Sequence, residues 1–168
     1  MGNIKDLDHK DAIEKMQKMA KDINICMFCT ASEKLPFETR PMGTQKVDDD
    51  GTFWFMSAEE SDKNREIKND DHVQLIYAKG SDAHFMTVYG RATVSKDKQK
   101  IDELWNDFAK AWFKEGKDDP RITVIAVKPE SAYYWDTKHG KMISMLAIAY
   151  SAVTSKTVDT GIEGALHV

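Results

Sequence analysis

Cysteine, proline and long apolar segments are scarce in this sequence. It has two cysteines and four prolines in 168 residues, and its longest apolar run, MISMLAIAYSAV, is shorter than the about 20 residues of a membrane-spanning helix. No apolar stretch follows the charges of the N-terminal segment MGNIKDLDHKDAIEK, so a secretory signal is not expected either. The sequence therefore predicts a cytoplasmic protein that does not associate with a membrane.

The short motifs of several enzyme classes are also missing. The chain contains no G-x-S-x-G elbow, no Walker loop, no G-x-G-x-x-G and no H-E-x-x-H. The acidic run DDDG lacks the further ligands, closing on a glutamate, that a calcium loop needs. A formal net charge of −4 disfavours a nucleic-acid-binding surface. We expect neither a metal nor a nucleic acid among the ligands of this protein.

The two cysteines stand in a C-x-x-C spacing, NICMFCTA, that in other settings indicates zinc or thiol redox chemistry. Here they lie in an apolar run that is typical of a buried strand. Side chains three residues apart on a strand point to opposite faces, so Cys26 and Cys29 should share neither a metal nor an unstrained disulfide. We interpret both as ordinary strand residues.

Length and composition are those of one globular domain. Domains cluster near about 100–150 residues, and 41% hydrophobic with 31% charged residues are ordinary values for a folded protein. Apolar residues at helical spacing predict an N-terminal helix over about 8–22 and a second long helix over 98–113. A last helical segment is expected over about 142–154.

Short strands bounded by turn residues are predicted between the helices. Pro41 cannot donate a backbone hydrogen bond, which places it at an edge, a bulge or a ligand-facing position. The expected strands are 23–31, 37–47, 52–57, 72–79, 83–94, 121–129 and 132–136, with a short edge strand at ALHV. These elements indicate an α+β fold with an antiparallel barrel over about 24–136, inside a single domain of residues 1–168.

The segment RPMGTQKVDDDGTFWFMSAEESDK, residues 40–63, carries the strongest signal for a ligand site. Lys63 falls in the first turn of a predicted helix, where a cation opposes the helix dipole unless an anion binds there. Ser61 and Arg40 could donate to the same anion. Alternating side chains over 54–56 could line an apolar slot for an aromatic ring. A core strand followed by a solvated loop fits the same spacing equally well.

Taken in order, several segments resemble the FMN-binding split barrels related to pyridoxamine 5′-phosphate oxidase, and within them the bacterial general stress protein branch. The segments are TRPM, DGTFWFMS, SDKNREIKNDDHVQLIYA, MTVYGRATV and KPESAYYWD, and the likeness runs from about residue 25 to 136. The resemblance implies a six-stranded antiparallel split β-barrel with flanking helices. It also implies a homodimer that holds FMN between its subunits.

The resemblance assigns cofactor contacts to individual positions. It implies that one strand runs beneath the flavin ring, that the next strand and a Ser-x-Lys pair surround the phosphate, and that a later strand touches the flavin across the dimer. A late aromatic residue is implied at the edge of the ring. The implied cofactor-binding residues are Arg40, Pro41, Met42, Gln45, Phe55, Met56, Ser61, Lys63, His84, Phe85 and Trp135.

Two departures from the true oxidase argue against pyridoxamine phosphate oxidation. Asp62 stands where the oxidase has a second basic residue, with Glu59 and Glu60 close by. The basic group that holds the substrate's phosphate is absent from YYWDTKHGKMISM, where His139 and Lys141 are the loose candidates that remain.

The function implied by the resemblance is that of an FMN-dependent oxidoreductase that exchanges a hydride with a small-molecule redox partner. Its substrate and its catalytic residues are not indicated by any motif. Two alternatives remain open. One is a non-enzymatic module that binds or senses flavin during stress, and the other is a structural dimer without a cofactor, which the acids at 59–62 favour.

Overall fold

The computed structural model of the protein describes residues 3–31, 35–137 and 161–167. Four α-helices and one 3₁₀ helix (Gly116–Asp118) lie among ten strands. The helices are α1 His9–Ile23, α2 Asp62–Asn69, α3 Lys98–Leu104 and α4 Asp107–Trp112. The strands are β1 Asn3–Ile4, β2 Leu7–Asp8, β3 Ile25–Thr30, β4 Glu38–Gly43, β5 Lys46–Val47, β6 Phe53–Ala58, β7 His72–Lys79, β8 His84–Ser95, β9 Ile122–Thr137 and β10 Gly161–His167.

All ten strands belong to one sheet, so the fold is α+β with a large sheet and few helices. Neighbouring strands follow the order β6-β9-β8-β7-β3-β4, all antiparallel. From β4 the chain passes through Thr44 and Gln45 into β5. Strand β5 pairs with β6, the first strand of this order, so the order closes on itself. The sheet departs from the expected six antiparallel strands, because the short strands β1 and β2 add parallel pairings with β10.

The strand β4 lies at the end of this path, which agrees with an edge position for Pro41. Among the described strands, β4 pairs with β3 and with no second strand. It therefore runs beside β6 without a hydrogen-bonded ladder between them. The predicted strand over 37–47 is thus two strands, interrupted where the chain crosses from β3 towards β6.

The strand β9 is one continuous element, although two separate strands were expected around the PES sequence. Its register against β8 shifts where Tyr89 faces Ser131 and Gly90 faces Pro129, so Glu130 is the extra residue of a bulge. A Cβ at position 90 would lie 2.1 Å from the Lys128 carbonyl oxygen. Glycine at 90 therefore makes room for Pro129 inside the strand, at the bulge. From the sequence pattern alone, a proline there predicts the end of one strand and the start of another.

The long helix expected over 98–113 is interrupted. The backbone of Trp105 and Asn106 is extended, and the Asn106 side chain accepts a hydrogen bond of 3.0 Å from the Ala109 backbone amide. Asparagine side chains compete with the helical backbone in this way and begin a new helix. As a result α4 points in its own direction instead of continuing α3.

Two groups of buried apolar residues hold the fold together. The main core fills the inside of the sheet and includes Phe28, Phe53, Phe55 and Tyr77, closed by the buried face of α1. A second cluster on the outer side of β6 and β9 consists of Ile101, Leu104, Phe113, Ile122 and Val124. We call it the outer cluster, and it attaches α3 and the end of α4 to the sheet.

The first helix, the two cysteines and the last strand can each be compared with what the sequence predicted. Helix α1 lies one residue from its predicted bounds, and Cys26 and Cys29 are buried and unpaired, as predicted for ordinary strand residues. Burial raises the pKa of the Cys26 thiol to about 12, so it has little thiolate character. Strand β10 is longer than the edge strand expected at ALHV and lies between β9 and the short strands. The helix expected over 142–154 falls outside the described residues, and the division into one domain stays a prediction.

Candidate functional site

A cavity of about 340 Å³ lies where β4 and β6 run side by side without pairing. Volumes of about 300–1,000 Å³ are typical of small-molecule sites. Strand β4, strand β6, the first turn of α2 and helix α4 each supply part of its wall. The lining residues are Arg40, Pro41, Met42, Gly43, Gln45, Met56, Ser57, Ala58, Lys63, Ala109, Trp112, Phe113 and Arg121. We call this space the seam cavity.

Lys63 supplies a partly buried cation to the seam cavity. Burial lowers the pKa of its ammonium group, and the positive charge of Arg40 acts in the same direction. Nearby carboxylates, first Glu66, offset part of this effect. Within the described part of the chain, Lys63 makes no hydrogen bond and no ion-pair contact, which leaves its three donors available to an anion.

Arg40 lines the same cavity but already has partners. It donates to the Thr30 hydroxyl and, at 2.7 Å, to the Glu66 carboxylate on α2. The side chains of Arg40 and Glu66 are 22% and 17% exposed, so the pair is shielded from solvent. Two of the five guanidinium donors are used in this way, and the arrangement fixes Arg40 at the mouth of the cavity.

The acids that follow β6 form ion pairs with other cations, although the charges of Asp62 and Glu60 still act on Lys63 and raise its pKa. Glu59 pairs with Lys96 at 2.6 Å and Asp62 pairs with Arg65 at 2.7 Å, all with exposed side chains. A third acid, Glu60, lies 3.8 Å from a guanidinium nitrogen of Arg121, which itself lines the cavity. The concern that these acids neutralise the phosphate site is therefore weaker in the structure than in the sequence.

Two serines lie next to Lys63, and only one of them lines the cavity. Ser57 is 3% exposed and belongs to the lining, whereas Ser61, predicted as the phosphate partner, does not. The two hydroxyls are 2.9 Å apart. Ser61 occupies the N-cap position of α2 without a side-chain capping bond. The Ser61 hydroxyl is therefore linked to the cavity through its contact with the Ser57 hydroxyl.

The apolar part of the lining comes from Pro41 and Met42 on β4 and from Met56 on β6, and Gln45 stands where β4 ends. Phe55 does not join them. It is fully buried in the main core, where its ring packs edge-on against Phe28 with centroids 5.1 Å apart. Phe55 and Met56 point to opposite sides of β6, and the side that carries Phe55 packs into the main core at this position.

The other predicted contacts lie far from the seam cavity. Phe85 and Trp135 face each other across β8 and β9, eleven residues along β9 from the partner of Met56. At about 3.3 Å per residue, that is roughly 36 Å of strand. His84 lies between two carboxylates, Nδ1 at 3.1 Å from Asp22 and Nε2 at 2.9 Å from Asp136. Within one subunit, the side chains of His84, Phe85 and Trp135 therefore do not line the seam cavity.

Sequence reasoning missed part of the lining. Ala109, Trp112 and Phe113 reach the cavity because α4 begins anew at Asn106, and the Asn106 side chain was the signal available for that break. Arg121 also lines the cavity while it forms a bidentate pair with Asp119, at 3.0 and 2.6 Å. Nothing in the sequence around Arg121 distinguishes it from a strand-end cation.

Among residues 3–31, 35–137 and 161–167, no helix is long and apolar enough to cross a membrane. Two groups in this part of the chain bring three potential metal ligands together: Asp22, Asp82 and His84, and Asp70, Asp71 and His72. In the first group Lys79 lies 2.7 Å from both carboxylates. An ammonium group therefore already occupies the position that a cation would take.

A known protein family matches most of this chain. The family model "Pyridoxamine 5′-phosphate oxidase like" matches residues 11–159. General stress protein 26 of Bacillus subtilis is 27% identical over 82 residues, which cover 47% of this chain and 58% of that protein. Another curated relative is covered over 53% of its length, so the chain spans little more than half of the curated relatives it matches.

Solved structures share the fold. A crystal structure described as a general stress protein 26 from Jannaschia sp. CCS1 superposes with a TM-score of 0.79 at 23% identity, covering 95% of this chain and 99% of that one. The general stress FMN/FAD binding protein from Xanthomonas citri superposes with a TM-score of 0.65 at 23% identity, covering 76% and 89%. At these identities the likeness is one of fold.

The pairing of Arg40 with Glu66 predicts a specific pattern of stability. Arg40→Met should lower the free energy of unfolding by about 1–3 kcal/mol, because it leaves a shielded carboxylate without its cation. Glu66→Gln should cost less, since an amide oxygen can still accept from Arg40. Chemical denaturation of the two single variants and the double variant measures this. We expect the double variant to be more stable than Arg40→Met alone, and an Arg40→Met protein as stable as the parent would contradict the pairing.

Proposed function

Because the chain belongs to the pyridoxamine 5′-phosphate oxidase-like family, we propose that it binds FMN in the seam cavity and acts as a flavin-dependent oxidoreductase. The observation that carries this proposal is Lys63, a partly buried cation with no contact partner in the described chain, beside an apolar wall. A phosphate attached to a flat heteroaromatic ring matches both features. The closed strand path is, in this proposal, the family's split barrel.

The residues present fit such a ligand. Lys63 and the remaining donors of Arg40 would hold the phosphate, with the buried Ser57 hydroxyl beside them. Met42 and Met56 offer polarisable apolar surface to the ring. The edge of β4 that faces the seam has backbone groups without a strand partner, and these can hydrogen-bond the polar atoms of a heterocycle.

The lining also indicates the kind of chemistry. Among the described residues, its titratable side chains are Lys63, Arg40 and Arg121, without a histidine, carboxylate, cysteine or tyrosine. A bound flavin would itself supply the exchange of a hydride or of single electrons with a small-molecule partner. The chain's own residues would bind the phosphate, orient the ring and exclude water from one side of it. Beyond the two cations assigned to the flavin phosphate, the described lining offers Arg121, which Asp119 already holds, so pyridoxamine phosphate oxidation is not proposed.

The lining also supports the alternative of a non-enzymatic flavin carrier or sensor, because none of the described residues that form it is an obvious general acid or base. A cofactor-free structural dimer has less support now that Glu59 and Asp62 pair with other cations. Bleaching of the bound flavin by NADH or NADPH would separate a reductase from a carrier. A cytoplasmic location stays a prediction.

We further propose that the protein is a homodimer with the flavin near the subunit interface. One face of the sheet supports this. Met27, Ile76, Phe85 and Trp135 are between 38% and 41% exposed. Met27 pairs with Ile76 on one side and with Pro41 of the seam cavity on the other, so this apolar face is continuous with the cavity. A second copy seated on it would bring partner residues to the ligand.

Removing the Lys63 charge should weaken FMN binding. Lys63→Ala is expected to raise the Kd for FMN by about 10- to 150-fold, the equivalent of about 1.5–3 kcal/mol for a hydrogen bond to a charged group. Titration calorimetry, or flavin fluorescence of protein freed of any bound cofactor, measures the change. Riboflavin serves as a second ligand, and because it lacks the phosphate its affinity should change little.

The matched control is Lys68→Ala, which removes an exposed lysine from the last turn of the same helix. Its FMN affinity should equal that of the parent. An unaltered affinity in Lys63→Ala would place the phosphate elsewhere. A parent protein that is purified colourless and fails to bind added FMN would reject the flavin proposal itself.

The lowered pKa of Lys63 predicts a pH dependence of binding. Its ammonium is fully charged below that pKa and loses its charge as the pH rises through it, so FMN affinity should decline at a lower pH than an ordinary lysine would cause. Kd values for FMN between about pH 7 and about pH 10 test this. Lys63→Arg keeps its charge over this range and should remove the decline, and a parallel decline in both proteins would assign it to another group.

The apolar sheet face predicts an oligomeric state that a single charge can change. Ile76→Asp places a carboxylate at the centre of that face and should convert a dimer to a monomer, as measured by light scattering after size-exclusion chromatography. Ile76→Val keeps the apolar surface and should remain dimeric. A parent that is monomeric at all concentrations, or an Ile76→Asp protein that stays dimeric, would show that this face is not the interface.

A further inference from the structure

Trp112 is the most exposed tryptophan among the described residues. Its side chain is 71% exposed, and yet it lines the seam cavity. The other tryptophans are placed differently. Trp54 and Trp105 pack against the outer cluster, and Trp135 lies near the far end of β9. An aromatic ring of this size is normally buried unless it serves contact with another molecule.

The position of Trp112 over the cavity is fixed by its neighbours in α4. Phe113 is 6% exposed in the outer cluster, and Ala109 is 3% exposed one turn earlier. At the start of the helix, the Asn106 side chain donates to Gln45 at 2.7 Å, and Gln45 itself lines the cavity. Helix α4 is thus attached to the site at both ends, and its last residue extends over the opening.

The opposite walls of the cavity suit the same kind of ligand surface. Met42 and Met56 come from β4 and β6, whereas Trp112 comes from α4, so the apolar side chains surround the space from different elements. A flat ring between them would have thioether sulfur on the strand side and an indole on the helix side. Both contacts are favourable for aromatic systems.

We propose that Trp112 contacts the flavin ring within the same subunit and closes the seam cavity from the side of α4. This inference rests on the proposed function. It assigns to Trp112 the ring contact that the family resemblance places on Trp135, which in one subunit lies near the far end of β9. Trp112 is a positioning residue in this role, because it holds the ring and limits the access of water to it.

A tryptophan in contact with a flavin has a spectroscopic signature. The excited isoalloxazine takes one electron from the indole, and the electron then returns, so the flavin fluorescence is quenched without net reaction. A phenyl ring is much harder to oxidise and stacks without this quenching. Substitution by phenylalanine therefore separates the optical effect of the indole from the packing effect of an aromatic ring.

The experiment compares Trp112→Phe, Trp112→Ala, Trp135→Phe and Trp105→Phe in the full chain, loaded with FMN. Binding affinity and the fluorescence lifetime of the bound flavin are both measured. We expect Trp112→Phe to lengthen the lifetime with nearly unchanged affinity. Trp112→Ala should lengthen it and weaken FMN binding about 2- to 10-fold, the loss of one aromatic pair. Trp105→Phe, next to the outer cluster, should behave like the parent.

The outcomes separate the two proposals. If the parent binds FMN and both Trp112 variants keep its lifetime and affinity, the Trp112 contact is wrong while the flavin proposal stands. Longer lifetimes in Trp135→Phe but not in Trp112→Phe would assign the ring contact to Trp135. If the parent binds no FMN, the flavin proposal fails first. Because Trp112 is largely exposed, none of these results should be obscured by failure to fold.

Discussion

The inside of the closed strand path is filled by side chains, and this constraint decides where a ligand can bind. Phe28, Phe53, Phe55 and Tyr77 are fully buried there and leave no room for a ring system. Among the described strands, β4 and β6 are linked through the short β5–β6 pairing and have no ladder between them, so this gap in the sheet adjoins a packed interior. The seam cavity forms at that gap, with walls from the edges of two strands.

The electrostatics of the seam cavity follow from how its charges are paired. Arg40 is held by Glu66 and Thr30, and Arg121 is held by Asp119, so both guanidinium groups are fixed and partly neutralised. Lys63 differs because burial and Arg40 lower its pKa without a contact partner to raise it. An anion would relieve that unfavourable arrangement, whereas a neutral ligand would not. Selectivity for the proposed phosphate would therefore depend on Lys63 more than on the arginines.

Part of this architecture could be predicted from residues alone. The periodicity of α1 and the alternation in β6, β7 and β8 are local properties, and the structure confirms those elements within a few residues. Lys63 was identified because a cation is unfavourable at a helix start, Arg40 because it could donate to the same anion, and Met56 through strand alternation and the family resemblance. The structure does bring these three side chains to one cavity.

The remaining features depend on how segments distant in sequence pack together, which local sequence patterns do not show. Whether Phe55 or Met56 faces the cavity depends on which side of β6 packs into the core, and alternation fixes only that they differ. The continuity of β9 requires Gly90 on a neighbouring strand to admit Pro129. The position of Trp112 depends on the outer cluster, where Phe113 meets Ile122 and other residues distant in sequence.

The seam cavity is thus assembled from four elements, and their relative placement depends on different forces. Strands β4 and β6 are positioned by the main core and the sheet, and α2 by the Arg40–Glu66 pair, whereas α4 is attached through the outer cluster and the Asn106–Gln45 hydrogen bond. The strand and α2 walls belong to the cooperative core of the fold. The attachment of α4 is smaller and lies outside that core. In the proposed function, the residues that would bind the phosphate are therefore held by the core, whereas Trp112, which would contact the ring, is held outside it.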